Sequence, residues 1–346
     1  MFGLDKPKKE FIRLLENLKV EELSISDYNK IYLKKHLESL TYSVNLAWQI
    51  LELGLKNSDK PIDKIAIAEI GGGTGIISLL AKWLGFEKVI YSDSYEQSCR
   101  DFRVISDTLG LKPDGIVCGS IDEIAAKYKN QIDVIVSRDV VEHIYDPGLF
   151  FKQSIENFKG AVMVHNTSAN IYNIFKRGYF KKFQQLDEKY GNPNQFKPGD
   201  SLESFYEMRY KFIHSNFSKL PETTIGKLAT NTRGKIYHDI YTEVKQFIET
   251  GRMPELLSHP TNTCDPANGN WTEHLLTFEE YNSFVEGFGY KTEWHFAPYD
   301  EWRNKGLKKA GLKFLNSVIS NFKWLAKSVT PAVIMVSVPQ SNNKHL

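Results

Sequence analysis

A run of glycines lies between two apolar stretches in residues 64–84. Lys64–Ile70 is short, apolar and partly β-branched, which predicts a buried strand, and Ile76–Leu84 has the spacing of a helix. Glycines allow a backbone to approach a ligand closely and to adopt positive φ angles. The first turn of the following helix offers unpaired N–H groups and a partial positive charge. The segment therefore predicts a strand–turn–helix unit of an α/β fold with a nucleotide-binding turn.

Strands and helices continue to alternate as far as residue 165. This pattern predicts βαβ units, whose right-handed crossovers bring the carboxyl ends of the strands to one rim of a sheet. The predicted fold class is α/β: a doubly wound, mostly parallel seven-stranded sheet with N-terminal helices over 6–20 and 26–57 and a large insertion between strands five and six. The other six strands are predicted at Lys88–Ser92, Gly115–Cys118, Ile132–Ser137, Ala161–His165, Tyr290–Phe296 and Ala332–Val338.

The same pattern divides the chain into four predicted segments. Residues 1–60 form an N-terminal helical cap, and 61–165 form the ligand-binding core. The insertion at 166–271 is expected to be a substrate lid, because ligands of open α/β sheets bind at the carboxyl rim and the insertion leaves from the fifth strand. Residues 272–346 complete the core and include a basic amphipathic helix.

An acidic residue followed by glycines at alternate positions defines the turn. A dinucleotide fold needs G-x-G-x-x-G/A, and its last position here is Ile76 or Ser78; a Walker loop is excluded because no Gly-Lys-Ser/Thr follows. The turn resembles the first motif of the class I S-adenosylmethionine-dependent methyltransferases. The resemblance implies that S-adenosyl-L-methionine is the cofactor. The residues that would bind it in this turn are Glu69, Gly71, Gly72, Gly73 and Gly75.

Two later strand ends carry candidates for the rest of the cofactor. Asp93, followed by Ser94, ends the second strand, where a carboxylate accepts both ribose hydroxyl protons; an NAD site predicts the same residue. Ser120 and Ile121 follow the third strand, where the family often has an acidic residue that contacts adenine. This chain departs from the family there, and either Ser120 or Asp122 is a candidate for that contact.

The fourth strand ends in a motif that favours methyl transfer more specifically than the glycines do. Residues 132–147 resemble the family's apolar strand followed by "VLEH" and "DP", which implies that Arg138 and Asp139 lie beside the methionine part of the cofactor. Glu273–Tyr281 and Gly287–Tyr290 match the family's common ending. The resemblance covers about residues 60–165 and 272–338, and leaves out the insertion.

Methyl transfer to a hydroxyl group requires a general base. Several side chains with rim or insertion positions qualify, so the sequence leaves the choice open among them: His165, His214, His238, His274 and Asp265. We favour His274, then His165, and His143 of the "VLEH" motif is a further candidate. No metal is predicted, because no HxH or HExxH spacing occurs.

These motifs favour a methyltransferase that acts on a small-molecule or glycan-type acceptor, which could be lipid-linked. The expected reaction is O-methylation by in-line displacement. The alternatives are an NAD-dependent oxidoreductase and a non-catalytic protein of the same fold. No nucleic-acid partner is predicted, since no base-reading module is recognised. Three widely spaced cysteines and a charged N-terminus favour the reduced cytoplasm. The oligomeric state is not predicted.

The segment 305–328 combines an apolar helical face with many lysines, and no acidic residue occurs after Glu301. Such a helix lies either at a membrane surface or against the sheet between the last two strands. Its position between two strands favours packing, with weak, salt-sensitive membrane-surface contact at most. The predicted apolar face consists of Leu307, Gly311, Phe314, Leu315, Val318, Phe322 and Leu325.

Overall fold

The computed structural model describes residues 5–191 and 203–340. It divides into two compact units. The first comprises the described parts of 1–141, 147–168 and 278–346, and the second comprises 142–146 and the described parts of 169–277. No helix among the described residues is long and apolar enough to cross a membrane.

The described helices are, in chain order, α1 Asp5–Glu16, α2 Asp27–Glu38, α3 Leu40–Asn57, α4 Ile76–Leu84, α5 Glu96–Leu109, α6 Ile121–Tyr128, α7 Pro147–Asn157, α8 Ile174–Lys189, α9 Phe205–Asn216, α10 Glu222–Asn231, α11 Tyr237–Thr250, α12 Phe278–Glu286, α13 Gly306–Asn321 and α14 Lys323–Val329. The strands are β1 Ala66–Ile70, β2 Lys88–Asp93, β3 Gly115–Cys118, β4 Val134–Arg138, β5 Val162–Thr167, β6 Tyr290–Ala297 and β7 Ala332–Pro339.

The strands of the first unit form one sheet in the order β3-β2-β1-β4-β5-β7-β6. The first five strands are parallel, and β7 runs antiparallel to both β5 and β6. The predicted mostly parallel seven-stranded α/β fold is confirmed. Because β2, β1 and β4 are parallel neighbours, their carboxyl ends lie side by side at one rim, where ligands of open α/β sheets bind.

The N-terminal helices share the core of the sheet. α3 contributes buried side chains such as Val44 and Leu51 to the same apolar cluster as β1 and β4. A Cβ added to Gly54 would lie 2.7 Å from a methyl carbon of Val134, so a glycine lets α3 approach β4 closely. The predicted continuous helix over 26–57 is wrong, because the backbone of Ser39 (φ −116, ψ 35) leaves the helical region and separates α2 from α3.

The expected packing of the predicted apolar face in 305–328 is wrong in part: Leu315, Val318 and Leu325 are half-buried, but other members of the face are exposed. The chain forms two helices there, and Leu307 is 93% exposed and Phe314 is 69% exposed. The buried side chain of α13 is Ile319, roughly 120° around the helix from Leu307 at 3.6 residues per turn. Asn316 lies on that inner side and its side chain bonds to the backbone of Tyr299. The helix therefore has two apolar rows, and the inner row meets the protein.

The second unit consists of helices and a long loop that follows α11. α9, α10 and α11 pack around a small apolar core that includes Ile213, Leu228 and Ile240. α8 supplies Glu188, which forms an ion pair with the fully buried Arg209 at 2.5 Å. Arg209 also donates to the carbonyl oxygen of a residue in α10 at 2.8 Å. A buried charge needs such partners, and these contacts fix α8, α9 and α10 to one another.

Candidate cofactor and catalytic sites

The glycine turn at the end of β1 has the shape that the sequence predicts. Gly71, Gly73 and Gly75 all have positive φ angles. A Cβ added to Gly75 would lie 2.0 Å from the ring of Phe102, so this position accepts no side chain. A Cβ at Gly73 would meet nothing within 4 Å, so the backbone at the centre of the turn faces open space. A turn with this arrangement can hold a ligand directly against its main chain.

Two aromatic rings that sequence reasoning missed support the turn. The ring of Tyr91 stacks on that of Phe102 at 3.9 Å between centroids. The Tyr91 hydroxyl donates to the carbonyl oxygen of Gly73 at 2.7 Å. A Cβ at Gly72 would lie 2.4 Å from the Tyr91 ring, which explains why this position of the turn is also a glycine. The sequence signal for the role of Tyr91 was its position two residues before Asp93 on β2, the strand next to β1.

Asp93 joins the turn to the end of β2. One carboxylate oxygen accepts the N–H of Gly73 at 2.9 Å, and the other accepts the N–H of Tyr95 at 2.8 Å. Each carboxylate oxygen has a second lone pair, so Asp93 can accept ligand hydroxyl groups while it holds the turn. Ser94 follows it and is exposed.

Glu69 is buried beside the turn. Its Oε2 atom accepts the N–H of Ser78 at 2.9 Å and also the Ser78 hydroxyl. Burial raises the pKa of Glu69 to about 7. These bonds fix the first turns of α4 to the end of β1, so Glu69 positions the helix whose amino end faces the glycine turn. Its predicted contact with the cofactor stays a prediction.

Ser120 caps α6 at the end of β3. Its backbone N–H and its hydroxyl both donate to one carboxylate oxygen of Glu123, each at 2.6 Å. The hydroxyl also accepts the N–H of Asp122. The Asp122 carboxylate in turn accepts from Gln153 at 2.7 Å, and Ile121 is buried. Both candidates for the adenine contact thus have partners within the protein, and the contact itself stays a prediction.

Arg138 places a buried positive charge at the end of β4. Its Nε and Nη1 atoms are buried and have no hydrogen-bond partner among the described residues. The guanidinium carbon lies 6.0 Å from the centre of the Tyr42 ring, and Nε lies 3.7 Å from a carboxylate oxygen of Asp139. Burial, and to a lesser extent the Arg138 charge, lower the pKa of His36 to about 3. This guanidinium can bind a carboxylate group of a ligand.

Asp139 has a positive φ of 52, which is uncommon outside glycine. Its carboxylate accepts the N–H of Ser168 at 3.1 Å, and its own N–H donates to the carbonyl of Asn166 at 2.9 Å. These bonds connect the ends of β4 and β5. The structure therefore brings the predicted residues of the turn, of Asp93 and of Arg138 to the carboxyl ends of adjacent strands.

His165 lies within the sheet. Its ring is fully buried and contacts Phe150 and Phe151 edge-on. Nδ1 lies 2.8 Å from the hydroxyl of Ser137, and burial lowers the pKa of His165 to about 3. A ring without solvent exposure is poorly placed to take a proton from a substrate, so these features favour a packing role for His165.

His143 and His274 belong to the second unit. The Nδ1 atom of His143 lies 2.8 Å from the carbonyl oxygen of Trp271. Because a carbonyl only accepts, Nδ1 carries a proton, so in the neutral ring Nε2 is the nitrogen with the lone pair. His274 stacks on Trp271 at 3.8 Å, and burial lowers the pKa of His274 to about 3. Of the two, His143 is half-exposed and has the better-placed basic nitrogen.

A three-residue group around His143 could hold a metal ion. Ligand atoms of Glu142, His143 and Glu273 all lie within 4.8 Å of one another. Glu142 is fully buried, and Glu273 has a positive φ of 51. Sequence reasoning found no metal site because it searched for ligands close together in the chain, whereas these ligands come from two distant segments.

Comparison with known proteins identifies the family. The profile of the family described as "Methyltransferase domain" matches residues 45–224, which is more than half of the chain. The chain belongs to this family, and its sheet and cofactor turn are those of a class I S-adenosylmethionine-dependent methyltransferase. The alternatives of an NAD-dependent oxidoreductase and a non-catalytic protein are set aside.

A curated relative is the ubiquinone biosynthesis O-methyltransferase of Pelagibacter ubique (strain HTCC1062), 23% identical over 191 residues, which are 51% of this chain and 78% of the relative. Among solved structures, the plantazolicin methyltransferase BpumL in complex with SAH is 13% identical with a TM-score of 0.41, covering 97% of this chain and 98% of that one. TrmN from Thermus thermophilus is 18% identical with a TM-score of 0.30; the match covers 35% of this chain and only 37% of that one. At these TM-scores neither structure bears on the function.

Proposed function

We propose that the enzyme transfers a methyl group to an oxygen atom of a small-molecule or glycan-type acceptor. The observation that carries the proposal is the joint position of the open turn at Gly73, the carboxylate of Asp93 and the guanidinium of Arg138 at adjacent strand ends. These groups fit S-adenosylmethionine part by part: the main chain at Gly73 approaches the ligand, Asp93 accepts the ribose hydroxyls, and Arg138 pairs with the carboxylate. When bound, the cofactor supplies an activated methyl group.

O-methylation is supported by the O-methyltransferase among the relatives and by the state of His143. A hydroxyl group must lose its proton as it attacks, and a neutral imidazole nitrogen is a suitable base. In the neutral ring of His143 this nitrogen is Nε2, because Nδ1 donates to the carbonyl oxygen of Trp271. His143 follows Arg138 by five residues along the chain. We therefore propose His143, in place of His274 and His165, as the general base.

The test is to incubate the enzyme with S-adenosylmethionine labelled in its methyl group and with fractions of a cell extract. Mass spectrometry of the labelled product should show a methyl ether or ester. His143→Ala should lower kcat by about 10²–10⁴-fold, as expected for loss of a general base. The control His295→Ala changes a half-exposed histidine of β6 that belongs to none of the candidate sites, and it should leave kcat unchanged. A label on nitrogen, or equal kcat for the two variants, would contradict the proposal.

We further propose that the second unit binds the acceptor, since the insertion leaves the core at a strand end on the ligand-binding rim. Limited proteolysis within 258–270 should then slow when cofactor and acceptor are present. The same cleavage is predicted within residues 191–200, another Gly- and Pro-containing segment of the insertion, which falls, except for its first residue, outside the described residues. Cleavage within 258–270 at the same rate with and without ligands would contradict an acceptor-binding role.

A further inference from the structure

The helix α13 has an outer apolar row that the rest of the described chain leaves uncovered. Leu307 is 93% exposed and Phe314 is 69% exposed. At about 100° per residue, Leu307 and Phe314 lie within roughly 20° of one another on the helix, and the half-buried Val318 lies close to them. The inner row, which contains Ile319, packs on the protein. The exposed row is therefore a second face of the helix and not part of the protein core.

Lysines flank this row on both sides. Lys308 and Lys313 are exposed, and they lie about 100–120° from Leu307 in opposite directions around the helix. Lys305 is exposed and precedes the helix, and Lys323 is exposed at the start of α14. No acidic residue occurs after Glu301. The charged side chains of residues 302–346 are thus all positive at neutral pH.

Two large aromatic side chains extend the exposed apolar character beyond α13. Phe322 is 50% exposed and Trp324 is 73% exposed, where α13 gives way to α14. An apolar centre, flanking lysines and an exposed tryptophan are together the features of a helix that lies in the headgroup region of a bilayer. Long lysine side chains can reach lipid phosphates while the apolar row enters the acyl boundary.

We propose that α13 and the start of α14 dock the enzyme on an anionic lipid surface. Charge complementarity selects this occupant. A second copy of the chain would bring lysines against lysines, which is unfavourable. Single-stranded RNA would use the lysines and the aromatic rings but would leave the most exposed apolar residue, Leu307, without a role. The proposal does not depend on the identity of the methyl acceptor.

The test is co-sedimentation with vesicles made of equal parts phosphatidylglycerol and phosphatidylcholine, compared with phosphatidylcholine alone. The protein should bind the anionic vesicles at low salt and lose most of this binding at about 0.5 M salt, where charges are screened. Each lysine near an anionic surface contributes about fivefold in affinity, so Lys308→Glu/Lys313→Glu should weaken binding by about 25-fold or more. The control Lys127→Glu/Lys129→Glu makes the same charge change at exposed positions in and after α6 and should bind nearly as well as the wild type.

A second pair of variants tests the apolar part. Leu307→Ser/Phe314→Ser should reduce binding at low salt while the circular dichroism spectrum stays unchanged, because both side chains are exposed. Anionic vesicles should shift the tryptophan fluorescence to the blue, and Trp324→Phe should remove this shift. Recovery of the wild type in the supernatant with both vesicles at low salt would overturn the proposal. Equal binding of the Lys308/Lys313 variant and its control would also overturn it, as would binding of RNA without binding of vesicles. None of these measurements uses methyl transfer, so their failure leaves the proposed function intact.

Discussion

Replacement of Asp93 by alanine separates cofactor binding from fold stability. The carboxylate accepts two backbone N–H groups, from Gly73 at 2.9 Å and from Tyr95 at 2.8 Å. Water can reach this half-buried position and replace part of the lost bonding, so Asp93→Ala should lower the free energy of unfolding by about 1–3 kcal/mol. Loss of the charged ribose contacts should weaken S-adenosylhomocysteine binding by a further 1–3 kcal/mol, or about 5–150-fold in Kd.

The assay is isothermal titration with S-adenosylhomocysteine, combined with urea unfolding of the same variants. Asp114→Ala is the matched control, because Asp114 accepts the N–H of Val89 at 2.8 Å and immediately precedes β3, at the amino end of that strand. The control should lose stability, also by about 1–3 kcal/mol, and keep its Kd within about twofold. If both variants bind S-adenosylhomocysteine with the wild-type Kd, the ribose contact assigned to Asp93 is refuted.

Three further predictions concern the two units. Gly73→Val should abolish the thermal stabilisation by S-adenosylhomocysteine, because the valine side chain fills the open space at the turn. The control Gly110→Val, also at an open position with positive φ, should keep this stabilisation. A rise in Tm of the Gly73 variant on addition of S-adenosylhomocysteine would contradict the site. The pKa of Glu69 is about 7 against 4.5 for an ordinary glutamate, so its protonated form favours the fold: the contribution is complete below pH 4.5 and is lost as the pH rises through about 7. The stability of the wild type relative to Glu69→Gln should therefore fall by on the order of 3 kcal/mol from pH 4.5 to about pH 8, and a flat difference in urea unfolding would count against the buried carboxyl. Zn²⁺ bound to the group around His143 would occupy Nε2, the proposed base, so Zn²⁺ should raise the Tm of chelator-treated protein and inhibit methyl transfer. His143→Ala should remove most of the rise in Tm, and an equal rise in both proteins would exclude this group.

The regular part of the fold was predictable because its signals are local. α4 and β3 begin and end where the sequence predicts, since a short apolar run beside a glycine leaves little choice of element. The carboxyl-end position of Asp93 also follows from the strand pattern alone. The two hydrogen bonds that the Asp93 carboxylate accepts from backbone N–H groups could not be predicted, because they depend on how the turn folds back towards β2.

The helices near the C-terminus show where periodicity is insufficient. Both Leu307 and Ile319 belong to apolar rows of α13, and the spacing of the sequence does not say which row meets the protein. The prediction followed the longer row, whose Leu307, Phe314 and Phe322 proved to be exposed. Burial of the shorter row depends on its surroundings, such as the contact of Asn316 with Tyr299.

The sequence by itself determined the α/β fold and the cofactor turn, because the signals of strand, turn and helix lie close together in the chain. The resemblance of the turn to a family motif implied the cofactor. Only the tertiary structure separated the histidines. The basicity of an imidazole depends on desolvation and on its hydrogen-bond partners, and these come from distant segments. Phe150 and Phe151 enclose His165, whereas the carbonyl of Trp271 leaves Nε2 of His143 with its lone pair. The same reason explains the candidate metal ligands, because Glu273 is far along the chain from Glu142 and His143 and meets them only in the folded protein.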